Sequence, residues 1–223
     1  EIAVEYGVDK LELGFIPHYE SRLESIRNNV TKVLEIGVET GRSHRMWLEY
    51  FPNATIYGYD IFTYGYEEFK ILQKGAANLD RSVLYKGDQS NIEHLNEFLK
   101  LYGGDFDMII DDGGHTMKQH QVSLKILFDA VKSDGYYVIE DLHTCSNQWP
   151  TLYGYDTISD GDTLTTDLLN SLTNNDDSVL ETNYLSKTDI INIRSNIKSC
   201  TTEIGTERYR NPKGQYYNWP CML

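Results

Sequence analysis

Two pairs of adjacent acids, Asp111-Asp112 and Glu140-Asp141, are the side chains of this sequence best placed for chemistry. Each pair closes a short apolar run, and carboxylates crowded together repel one another and take up protons. A hard divalent cation relieves that repulsion, and an all-oxygen donor set suits Mg²⁺ or Mn²⁺. His115 follows on the same loop as Asp112. Imidazole titrates near neutral pH, so His115 reads as a general base. Either acid pair alone is as well explained by turn chemistry or by capping of the next helix. Both pairs together with His115 point to a metal site. His18 and His143 are read only as substrate contacts.

A second group lies upstream, in Glu35-Ile36-Gly37-Val38-Glu39-Thr40-Gly41-Arg42-Ser43. A dinucleotide loop would carry glycine at the position of Glu39, where the backbone must approach a pyrophosphate. A carboxylate there repels phosphate, and Glu35 adds to the repulsion. A cationic ligand without phosphates tolerates both, and S-adenosylmethionine, with its sulfonium and ammonium, is one. Asp60 is placed to accept from ribose hydroxyls, and Asp88 to meet the adenine or its surroundings. The competing explanation, a purely structural turn, accounts for Gly37 and Gly41 but not for acids at successive strand ends.

These residues need elements to hold them. Lys32–Gly37, Thr55–Asp60, Ser82–Tyr85, Phe106–Ile110 and Gly135–Ile139 read as strands. Between them, helices are predicted at Ser43–Phe51 with Ser43 as N-cap, at Tyr66–Lys74, at Ile92–Tyr102 capped by Asn91, and at Met117–Lys132. A helix from Pro17 to about Arg27 precedes the first strand. Strand and helix alternate about every 25 residues, the rhythm of a doubly wound α/β sheet. Ligands collect at the carboxyl ends of such strands, near the switch point, which is where every residue above falls. The alternation then stops. Residues 143–180 read as a lid or acceptor segment with a helix at Thr163–Leu172. Ile190–Ile193 and Ile197–Ile204 read as a late antiparallel hairpin, followed by an aromatic tail from Tyr209. One domain is expected over residues 1–223, with 1–30 as a cap, 31–142 as the core and 181–223 as late strands and tail.

Lys plus Arg total 20 against 34 acids, a net charge of −14, which disfavours nucleic acid and anionic membranes as partners. No apolar run approaches the roughly 20 residues of a membrane span. Three cysteines without metal-ligand spacing read as free thiols in a reducing compartment, the cytoplasm. The chain opens on Glu1 rather than Met, which reads as a piece of a longer polypeptide, with neighbouring domains or a second copy as partners.

Taken in order, Asp9-Lys10, Pro17-His18-Tyr19-Glu20, Val33-Leu34-Glu35-Ile36-Gly37, Arg45-Met46-Trp47, Gly58-Tyr59-Asp60-Ile61-Phe62, Gly87-Asp88-Gln89, Asp111-Asp112-Gly113-Gly114-His115 and Ile139-Glu140-Asp141-Leu142-His143-Thr144 resemble a known family. It is that of metal- and S-adenosylmethionine-dependent sugar O-methyltransferases, such as those acting on macrolide deoxysugars. The resemblance implies a class I, Rossmann-like methyltransferase fold, with a mostly parallel sheet, an N-terminal helix, a lid after strand five and a C-terminal antiparallel hairpin. It implies a metal held by Asp112, Glu140 and Asp141, with His115 as base and Asp111 assisting. Cofactor contacts are implied for Glu35, Gly37, Ser43, Asp60, Asp88, Gln89 and Tyr19. Gly114 departs from the serine usual in the family. The acceptor implied is a sugar hydroxyl, as on a rhamnose-type deoxysugar. Competing readings are a catechol-type methyltransferase, a nicotinamide-dependent dehydrogenase, which Glu39 disfavours, and a non-catalytic domain of a glycan-assembly protein.

Overall fold

The computed structural model describes residues 2–12, 14–63, 79–145, 151–152, 155–205 and 219–222. Three short helices come first, α1 (Ile2–Tyr6), α2 (Asp9–Glu12) and α3 (Ile16–Leu23). The predicted Pro17 helix thus starts one residue early and stops at Leu23, with turns on to residue 29. Five strands follow: β1 (Lys32–Ile36), β2 (Thr55–Asp60), β3 (Ser82–Lys86), β4 (Phe106–Asp111) and β5 (Val131–Ile139). They lie in the order β3-β2-β1-β4-β5 and pair in parallel. The chain runs outward from β1 through β2 to β3, then returns to lay β4 on the other side of β1. The carboxyl ends of β1 and β4, where Ile36 pairs with Asp111, therefore flank the switch point.

Side-chain alternation sends strand residues to two faces. Val33, Met108 and Val138 join the N-terminal helices and α4 (Arg42–Tyr50) through Tyr19, Trp47 and Phe51. Leu34, Ile36 and Ile109 pack on α5 (Ile92–Tyr102) and α6 (Met117–Leu127) through Leu95, Phe98 and Val122. Asn91 caps α5 as predicted, its side chain accepting from the Glu93 and His94 amides. Ser43 does not cap α4. Gly41, at φ 79°, is the cap residue, because the loop must turn through a left-handed residue before the helix can start. The predicted long helix after Thr116 ends at Leu127, and β5 begins at Val131.

Beyond β5 the chain forms a small ladder of β6 (Thr151–Leu152) and β7 (Tyr155–Asp156), then α7 (Thr165–Asn174). The late strand expected at Ile190–Ile193 is instead part of a helix, α8 (Lys187–Asn196). Ser186 and Asp189 form a capping box there, and Ile190 and Ile193 are buried three residues apart, a helical spacing that outweighs their β-branching. An antiparallel pair does close the sheet, but from β8 (Thr202–Gly205) and β9 (Trp219–Met222), with β9 against β5. The helix expected at Tyr66–Lys74 lies outside the described residues, as does the start of the aromatic tail. Among the described residues no helix is long and apolar enough to cross a membrane.

Candidate active site

At the carboxyl ends of β1, β2 and β3 the expected cofactor residues Gly37, Asp60 and Asp88 shape the loops that leave the strands. Gly37 sits at φ 87°, and a Cβ there would lie 1.9 Å from the Asp112 carbonyl oxygen, so only glycine fits. The first loop thereby rests on the acid loop after β4. The amides of Val38 and Glu39 donate to Asp60 Oδ2 at 2.7 and 3.0 Å, and the Phe62 amide donates to Oδ1. Asp60 is therefore a brace for the loop; a carboxylate offers about four acceptor sites, which leaves room for a ribose hydroxyl. Ser43 stands in the first turn of α4, behind the same loop. Asp88 builds the turn after β3, accepting from the Ser90 amide and hydroxyl at 2.8 Å.

Three more of the expected cofactor residues have partners inside the protein. Glu35 is fully buried on the face of α4, accepting from Trp47 Nε1 at 3.0 Å, with His44 Nδ1 3.4 Å away. Gln89 turns inward as a clamp: its Nε2 donates to Asp111 Oδ1 at 2.9 Å and its Oε1 accepts from the Gly114 amide at 2.8 Å. Tyr19 donates its hydroxyl to Glu140 Oε1. In each case a buried polar group had to find a partner, and the nearest was in the protein.

At the ends of β4 and β5 the acids separate by role. Asp111 ends β4 and turns inward, while Asp112 opens the loop and turns to His115. Asp111 is buried, held by Gln89 and by the Ser123 hydroxyl, and burial pushes its acid up to about 6. It supports the loop, and its charge also reaches the His115 ring. Asp112, His115 and Asp141 do converge: one ligand atom from each lies within 4.8 Å of the others. His115 Nε2 is 3.8 Å from Asp112 Oδ1 and 3.6 Å from Asp141 Oδ2. His115 and Asp141 both adopt left-handed backbone, φ 59° and 53°, a strain that clusters at functional sites. The Thr144 hydroxyl fixes the His115 carbonyl at 2.9 Å, joining the two acid loops.

Glu140 reaches the same cluster from deeper in the protein. Lys10, only 1% exposed, places its ammonium between Asp112 Oδ2 and Glu140 Oε2, 2.8 Å from the latter. The buried carboxyls of Glu140 and Asp141 are pushed up, first by desolvation and then by the charge of Asp112. Burial opposes the charge on Lys10, but Asp112 and Glu140 outweigh it and keep the ammonium protonated. His115 moves the other way: burial holds it below the ordinary imidazole range although Asp112 pulls it up. His143 is buried and pushed down to about 3 by desolvation and by His115. His120, which the sequence reading passed over, lies behind His115 with ring centroids 5.9 Å apart, and burial keeps it neutral.

The donor set fits a hard divalent cation. Carboxylate oxygens dominate, and Asp141 Oδ1 is buried without a hydrogen-bond partner among the described residues, a state that costs free energy unless a cation meets it. Lys10 was matched as part of Asp9-Lys10 without a role. Its partners lie 102 and 130 residues away in sequence, so no local spacing could have given one.

The order of strands, the braced glycine loop and the acids at the switch point define a class I, Rossmann-like methyltransferase fold. No family model matches the chain. Its relatives are named sugar O-methyltransferases, as the sequence resemblance implied. The mycinamicin VI 2''-O-methyltransferase of Micromonospora griseorubida is 37% identical over 147 residues, 63% of this chain and 34% of that protein. The L-olivosyl-oleandolide 3-O-methyltransferase of Streptomyces antibioticus is 31% identical over 158 residues, 67% of this chain and 38% of that protein. Among solved structures, the MycE methyltransferase of the mycinamycin biosynthetic pathway, in complex with Mg and SAH, superimposes with a TM-score of 0.62. It is 33% identical and covers 78% of this chain, which in turn covers 47% of it. The chain thus spans between 34% and 39% of the length of the curated relatives it matches.

Proposed function

We propose that this chain carries the catalytic core of an S-adenosylmethionine- and divalent-metal-dependent O-methyltransferase that acts on a sugar hydroxyl, as on a rhamnose-type deoxysugar. The observation that carries the reading is the convergence of Asp112, His115 and Asp141 beside a glycine loop that rests on the Asp112 carbonyl. The cofactor, which the loop from Gly37 to Ser43 and the acceptor sites left on Asp60 would hold by its ribose, would supply an electrophilic methyl group. A divalent cation held by Asp112, Glu140 and Asp141 supplies the positive charge that lowers the proton affinity of an acceptor hydroxyl.

The residues of the chain do the rest. His115 Nε2 faces the acids, and its buried ring favours the neutral form, so it can accept the acceptor's proton. The methyl group would pass to the deprotonated oxygen as its bond to sulfur breaks, and the part of these residues would be to align the two. Residues 158–181 would shape the acceptor side. An open cleft of about 860 Å³ lies there, lined by Met117 next to the His115 loop and by Ile158, Asp162, Asp167 and Glu181. Cys145 is a buried free thiol, which supports a reducing, cytoplasmic setting.

Methyl transfer to a rhamnosyl glycoside, measured with and without EDTA, tests the reading. Turnover should vanish in chelator and return with Mg²⁺ or Mn²⁺, and titration calorimetry should show S-adenosylmethionine binding with negligible NAD binding. Full activity in chelator would remove the metal from the mechanism, and tight NAD binding would overturn the loop assignment.

A further inference from the structure

The Lys10 side chain crosses from the N-terminal helices into the acid cluster. It is 1% exposed, and its ammonium bridges Asp112 Oδ2 and Glu140 Oε2. These are oxygens of two of the three proposed metal ligands. The third, Asp141, contributes an oxygen within 3.6 Å of His115 Nε2, and its other oxygen is buried without a partner among the described residues. Tyr19, from α3, holds the remaining oxygen of Glu140. The N-terminal helices therefore deliver one cation and one hydroxyl to a cluster otherwise built by β4 and β5.

We propose that Lys10 is a tethered cation that occupies the metal's seat between Asp112 and Glu140 and is exchanged for the divalent ion when it binds. Geometry and charge both require an exchange. Mg²⁺ and Mn²⁺ sit at about 2.0–2.2 Å from carboxylate oxygens. An ammonium hydrogen-bonded to the same two oxygens would stand within about 4 Å of the ion, where like charges repel strongly inside a protein. The ammonium keeps three crowded carboxylates compatible with a folded protein before the metal arrives. It also lowers metal affinity, because each binding event must displace it. Lys10 is tethered to α2, so entry of the metal loosens the N-terminal helices from the cluster. This inference rests on the metal reading above.

Mn²⁺ titrations of the full chain, read by the electron paramagnetic resonance signal of free aqueous Mn²⁺, test it through the sign of one change. Lys10→Met should bind Mn²⁺ about tenfold more tightly than the wild type, or more, and melt at lower temperature without metal. Lys10→Arg, which keeps the charge, should stay near the wild-type affinity. In the wild-type protein, amide exchange in residues 9–12 should speed up when Mn²⁺ is added, a measurement that needs no variant. Unchanged or weaker Mn²⁺ binding by Lys10→Met overturns the exchange, as does slower exchange of residues 9–12 on metal addition. If neither protein binds Mn²⁺, the metal reading falls and the exchange falls with it.

Discussion

The two halves of the switch point treat their acids differently. On the side of β1 to β3, Asp60 and Asp88 are answered by the Val38, Glu39 and Phe62 amides and by Ser90, while Glu35 accepts from Trp47 Nε1 and keeps a second oxygen without a hydrogen-bond partner among the described residues, 3.4 Å from His44 Nδ1. For Asp60 and Asp88 the donors are neutral, and their effect is to fix a loop. On the side of β4 and β5, Asp112, Glu140 and Asp141 meet a cation, Lys10, a histidine and an oxygen without a partner. A carboxylate satisfied by backbone amides stiffens structure, whereas carboxylates gathered with too few donors call for a cation. A strand-end acid therefore reveals its role through its partners, not through its position.

Substitutions can break that contrast. The largest effect is expected at His115. Its alanine variant should lose roughly 10²–10⁴-fold in kcat while keeping cofactor affinity in calorimetry. Because His115 must be neutral to act, the wild-type rate should climb with rising pH through a titration that burial holds below the ordinary imidazole range. A normal kcat in His115→Ala would move the base elsewhere in the acid cluster.

Gly37→Ala should come next and should cross the divide. Left-handed backbone costs a residue with a Cβ about 1–2 kcal/mol, and the added carbon would collide with the Asp112 carbonyl. Melting temperature should drop, and both S-adenosylmethionine and Mn²⁺ should bind more weakly. Loss of only one of the two would show that the loops are independent.

Asp60→Ala should confine its damage to the first side, weakening S-adenosylmethionine by about 1–3 kcal/mol as the loop amides lose their charged acceptor. Equal weakening of Mn²⁺ in the same calorimetric series would erase the distinction. The smallest effect is expected at Asn91→Ala, which removes the cap of α5 and should cost about 1 kcal/mol in chemical denaturation with both ligands bound normally.

Much of this was legible in the chain. Apolar runs ending in Gly37, Asp60, Asp112 and Glu140 marked the central strands, because a parallel strand covered on both faces is written as a continuous hydrophobic run. The cap at Asn91 was legible because a cap is a local hydrogen bond. Ile190–Ile193 misled because short β-branched segments fit both periods, and the capping box at Ser186 and Asp189 settles it only once the amides are in place. The protein partners of Glu35, Gln89, Tyr19 and Asp111 were not legible, for one reason. Sequence spacing places a residue at a strand end but does not say which way its side chain faces or which donor it meets.

The sequence by itself determined the alternating α/β core, the glycine loop and the acids and histidine at its mouth, since each is encoded within about ten neighbouring residues. Tertiary structure alone decided that Asp111 turns to Gln89 while Asp112 faces His115 and Asp141, that Gln89 clamps a loop, and that a lysine from the N-terminal helices stands among the acids. Those outcomes depend on contacts across 22 to 130 residues. They are set by the need of each buried charge for a partner, and only the folded chain brings those partners within reach.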